Sequence, residues 1–90
     1  MDDGAQFLAG ELERLMQLPL KSKVDVALWA DEARTLQTVL DERFPKLEFP
    51  HHIWHFLADP DIRERDPDYR DAQHREISDY IAQVRATHAV

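Results

Sequence analysis

Cysteine is absent from these 90 residues, and glycine occurs only twice, at Gly4 and Gly10. The first absence excludes disulfides, thiolate metal ligands and a thiol nucleophile. The second excludes a glycine-rich phosphate cradle, because such a loop needs several residues without a side chain. Basic residues are scarce as well: 11 Lys and Arg stand against 18 Asp and Glu, a net charge of −7. A surface of that sign repels nucleic-acid phosphates, so no nucleic-acid partner is expected, and it favours basic partners and cations. The same acidity would also serve solubility alone. Nine acidic residues precede Phe44 and nine follow it, so neither half is an acidic tail. There is no long apolar run, which leads us to expect no membrane span and no signal peptide, with the cytoplasm as the default compartment. No apolar–polar alternation is long enough for a strand.

What is present reads as helix. A chain of this length has room for one core, and 43% hydrophobic residues suffice to build it. Asp2 and Asp3 suit the start of a first helix, over about residues 4–18, with Leu8, Leu12, Leu15 and Met16 on one face and Phe7 and Leu18 beside them. Pro19 ends it. Residues 1–20 are the least anchored part, and we expect them to be a peripheral or partner-docking helix, with a homodimer through it as one outcome. Ser22 followed by Asp25 resembles a capping box and opens a second helix over about 23–43. Val26, Trp29, Ala33, Leu36, Leu40 and Phe44 form its stripe, flanked by Val24, Leu28 and Val39, while Asp31, Glu32, Arg34, Gln37, Asp41 and Glu42 face water.

The stretch from Phe44 to Tyr69 concentrates four of the five prolines and three of the five histidines. Pro45 and Pro50 bound an extended elbow. Pro50 then starts a short helix over about 50–58, apolar around much of its circumference, so Ile53, Trp54, Phe56 and Leu57 are expected inside. Asp59-Pro60 and Asp66-Pro67 read as two cap-plus-proline starts. The first opens a turn or so anchored by Ile62. The second opens a last helix over about 67–87 with Tyr69, Ala72, Ile77, Tyr80, Ile81 and Val84 inward, an Asp71–Arg75 ion pair, and Arg85 and His88 at its negative pole. The expected fold class is all-α: three long helices and one short one after a proline-rich elbow.

Candidate chemistry is confined to that central stretch. His51, His55 and Asp59 recur at steps of four, which on one continuous helix would direct two imidazoles and a carboxylate to a single zinc or iron ion. His52, about 100° round, would be excluded. Against this, Asp59 is better placed to cap the next turn, and first-turn histidines are commonly solvated. Asp59, Asp61, Glu64, Asp66 and Asp68 do not have calcium-loop spacing, since the fifth position is Arg63 and no glycine makes the turn. Arg63, Arg65 and Arg70 make this a mixed-charge, solvated connection. No serine has a histidine and an acid at suggestive spacing, and no catalytic residues are nominated.

Trp29-Ala30-Asp31, Phe44-Pro45-Lys46-Leu47, His52-Ile53-Trp54 and Asp66-Pro67 before a closing helix together resemble the IscX family. That resemblance implies a small acidic helical protein associated with iron–sulfur cluster assembly, binding a cysteine desulfurase and iron. It covers Trp29 to about Val84. The family's link between its Tyr-Pro and His-x-Trp is longer, its acidic run is undiluted by residues such as Arg63 and Arg65, and residues 1–23 have no counterpart in it. From the residues themselves, the expected function is a protein–protein interaction or regulatory module without catalysis of its own, directed at a partner with a basic surface. The alternative is a metal-binding accessory protein using His51 and His55.

Overall fold

The computed structural model describes residues 3–88, the His88 side chain excepted, as five helices: α1 (Asp3–Met16), α2 (Lys23–Arg43), α3 (His51–Ala58), α4 (Pro60–Arg65) and α5 (Pro67–His88). No strand occurs among the described residues, and none of their helices is long and apolar enough to cross a membrane. The chain is all-α as its periodicity demands. Asp2 and the His88 side chain, both expected near helix ends, lie outside the described residues.

Local chemistry explains the boundaries. Ser22 Oγ accepts from the Asp25 amide at 3.2 Å, while Asp25 Oδ2 accepts from the Lys21 amide at 2.8 Å. One donor of the first turn and one of the residue before the cap are thereby satisfied, and α2 begins where the capping pair places it. At its other end the Phe44 amide donates to Leu40 O at 2.8 Å, and Pro45 prevents continuation. α1 stops two residues short of the expected end: Gln17 and Leu18 donate back to Arg14 O and Leu15 O, tightening the exit before Pro19. Asp66 caps α5 as expected, accepting from the Tyr69 amide at 3.1 Å. Asp59 does not cap α4: its side chain makes no cap hydrogen bond. One residue ends α3 and begins α4, and its carboxylate is drawn to Tyr69 instead.

α1 packs on α5 and α2, α2 on α3 and α4, and α5 on α3 and α4. The core holds Leu8, Leu12 and Leu15 from α1, Trp29, Ala33, Leu36 and Leu40 from α2, Ile53, Phe56 and Leu57 from α3, and Ile77, Tyr80, Ile81 and Val84 from α5. Each buried leucine contributes about 1.5–3 kcal/mol. α1 is therefore a central element, not a peripheral one, and its apolar face is spent inside. Arg85 pairs with Glu13 at 2.7 Å and Arg14 with Glu32 at 3.2 Å, exposed links from α1 to α5 and α2 that add little to the packing. Gly4 admits Phe44 closely: a Cβ there would stand 3.1 Å from the phenyl ring.

Several side chains depart from their expected places. Val24 and Leu28 are 67% and 60% exposed, turned away from the core. Trp54 is 44% exposed, and Ala72 is exposed while Gln73 beside it is buried. Asp71 pairs with Arg70 at 3.2 Å, where a partner one turn on was expected. The largest departure is Arg63, which is 1% exposed.

Candidate functional site

Arg63 lies in the core because α4 is only six residues long and presents one inward face, Pro60 with Arg63. Its guanidinium carbon lies 4.4 Å from the Trp29 ring centre and 4.2 Å from that of Phe56. Those two rings meet edge to face at 5.2 Å. Nη1 donates to Phe56 O at 2.6 Å and to Gln73 Oε1 at 2.7 Å. Gln73 Nε2 donates to the Tyr69 hydroxyl at 3.1 Å, and that hydroxyl donates to Asp59 Oδ2 at 2.6 Å. A single polar chain thus runs from the buried cation to a part-buried carboxylate. Burial pushes the Arg63 pKa down to about 10, with Asp59, Tyr69 and Asp61 opposing the shift. It remains a cation at neutral pH, stabilised by two aromatic faces in a low-dielectric interior. The hydrogen bond to Asp59 raises the Tyr69 pKa. Among the described residues, Nε and Nη2 of Arg63 and Nε2 of His52 find no hydrogen-bond partner. The geometry of this cluster is that of a structural lock.

The metal-ligating trio is not assembled. His51 and His55 are exposed on α3, Asp59 Oδ2 is engaged by Tyr69, and among the described residues no group of three His, Asp or Glu is placed to hold an ion. His74 is half-buried on α5, edge-on to Phe56 at 6.1 Å. Burial, then Arg63 and Arg70, hold its pKa below the ordinary histidine value, with Asp71 opposing.

The open chemistry is at the elbow. The segment between α2 and α3 lays Phe44, Leu47 and Phe49 half-buried against the core. Trp54 leans on Phe49 at a ring separation of 5.1 Å and a tilt of 41°. On α3, Ile53, Phe56 and Leu57 point inward, so Trp54, with His51 and His55, is left on the outer side. The result is a cleft of about 160 Å³ lined by Trp54 and Phe49, by Leu40 and Leu47, and by the polar Gln37 and Asp41. Asp41 is the charged residue lining it. Arg43 and Lys46 line the neighbouring cavity beside Gly4. An exposed indole beside a carboxylate is suited to a cation carried on an apolar stem.

Sequence reasoning missed both features. Arg63 was masked by the charges around it. The exposure of Trp54 was available in principle, since it lies about 100° from Ile53 round a helix whose inward arc is set by Ile53, Phe56 and Leu57. Compared with known proteins, the chain matches no family model, no curated protein and no solved structure. The resemblance to the IscX family rests on the quoted residues alone.

Proposed function

We propose that this chain is a protein–protein interaction module, without catalysis of its own, that receives a basic segment of a partner in the elbow cleft. The carrying observation is Trp54, 44% exposed beside a cleft whose charged lining residue is Asp41. A partner arginine or lysine would lay its methylene stem along Leu47 and Phe49 and bring its cation over the indole, within reach of the Asp41 carboxylate. The net charge of −7 draws basic partners on approach. Trp29 supports the same chemistry from within, since it already holds a guanidinium over its ring. A contact of this kind contributes about 0.5–2 kcal/mol. Aromatic side chains at the centre of an interface commonly dominate its affinity.

Affinity capture with immobilised wild type, Trp54→Ala and Asp41→Lys chains, at low and high salt, tests this proposal. A partner with a basic segment should be retained by wild type at low salt, released at high salt, and weakened about tenfold by either substitution. Equal recovery by all three chains would remove the cleft from the account.

A further inference from the structure

We propose that the chain self-associates through the outer face of α2, two copies packing antiparallel about a two-fold axis near Ala27. This surface is separate from the elbow cleft and stands independently of the function proposed for it.

The inward side of α2 is spent on Trp29, Ala33, Leu36 and Leu40. On the opposite side Lys23, Val24, Ala27, Leu28 and Asp31 are all exposed, at helical spacing. Val24 and Leu28 are the two most exposed large hydrophobic side chains among the described residues, 67% and 60%. They lie one turn apart, with the small Ala27 between them, and apolar surface at one place on a helix marks a docking stripe. Past Leu28 the surface continues into a hollow of about 230 Å³ lined by Leu18, Pro19 and Trp29, with Asp25 and Glu32 also lining it.

The charges select the occupant. Lys23 precedes the apolar pair and Asp31 follows it, each four positions from Ala27. Turning a second α2 end for end about Ala27 sets Lys23 of one copy opposite Asp31 of the other, twice by symmetry, and Val24 beside the second copy's Leu28. A surface that complements itself under a two-fold rotation is what an isologous dimer requires. A parallel arrangement would instead oppose like charges. Asp31 is already paired with Arg34 on its own helix, but an exposed pair of that kind is weak and exchangeable. Ala27 at the axis allows the two helices to approach closely.

Sedimentation equilibrium over a wide concentration series tests this. Wild type should move from the 10.6 kDa chain mass to twice that mass as concentration rises. Val24→Glu with Leu28→Glu should remain at the chain mass throughout. Lys23→Asp and Asp31→Lys, taken singly, should each weaken association tenfold or more by opposing like charges, and the double exchange Lys23→Asp with Asp31→Lys should restore it. Circular dichroism of every variant should match wild type, because all four positions are exposed. A wild-type chain that stays monomeric at the highest concentration overturns the proposal. So does a dimer indifferent to Val24 and Leu28, or one that the double exchange fails to rescue. Capture of a basic partner through Trp54 is unaffected by either outcome.

Discussion

Trp29 and Trp54 are the same side chain in two environments. Trp29 is 1% exposed, its indole N–H donates to Leu15 O at 3.0 Å, and one face carries the Arg63 guanidinium. Trp54 is 44% exposed, leans on Phe49, and has a carboxylate rather than a cation among its cleft neighbours. The first is complete: α1 is tied to α2 through a carbonyl near the end of α1, and α4 is tied to both α2 and α3 through one guanidinium. The second opens to solvent at the cleft. In the proposed function the same aromatic chemistry serves stability at Trp29 and recognition at Trp54.

The largest expected effect lies on the closed side. Arg63→Ala removes a buried side chain and leaves Phe56 O and Gln73 Oε1 without their shared donor, and should cost about 3–5 kcal/mol in urea unfolding. Arg63→Met keeps most of the volume and sheds the desolvated charge, so it should cost less than half of that. If the two variants are equally damaging, the cation itself and not its packing holds the core. Trp29→Ala should cost about 3–5 kcal/mol as a large-to-small core change, whereas Trp54→Ala should stay within about 0.5–1 kcal/mol. Comparable losses at both positions would collapse the distinction between them.

Acid should loosen the closed side through His74. Its folded pKa is depressed, first by burial and then by Arg63 and Arg70, so the unfolded chain binds the proton more readily. Stability is therefore full above the unfolded value, near pH 6.5, and is lost as pH falls through that value toward the lower folded one. His74→Gln should flatten the dependence of urea midpoint on pH in that window. An unchanged slope would place the effect elsewhere. The smallest expected effect is at the exposed histidines: zinc or ferrous iron titrated into wild type and into a His51→Ala, His55→Ala double variant should give the same weak binding, and a clear loss in the variant would restore the metal reading.

Much of the framework was legible because each boundary has a local cause. Ser22 with Asp25, Pro45, and Asp66 with Pro67 place the ends of α2 and the start of α5 without reference to tertiary structure. The core stripe of α2 followed from its period. What stayed hidden was decided by packing between elements. Arg63 sits in a run of charges, and only the inward face of a six-residue helix shows that it is the buried one. Asp59 looked like a cap because it precedes a proline, yet Tyr69, ten positions away, claims its carboxylate. Val24 and Leu28 looked like flanks of the core stripe, since hydrophobicity alone does not say which side of a long helix finds neighbours. The cleft was legible only as a set of unusual residues around Phe44 to Trp54, not as a surface with one open indole.

In the proposed function Trp54 receives a partner's cation as Trp29 holds the Arg63 guanidinium. Tryptophan fluorescence, followed while a short peptide of arginine and leucine is titrated into wild type, Trp54→Phe and Asp41→Lys chains, tests it most directly. Wild type should give a saturable change that high salt abolishes, that the Asp41→Lys chain weakens about tenfold, and that is lost when Trp29 is the sole reporter. A change of equal size in the Trp54→Phe chain, or no saturable change in wild type, would contradict it.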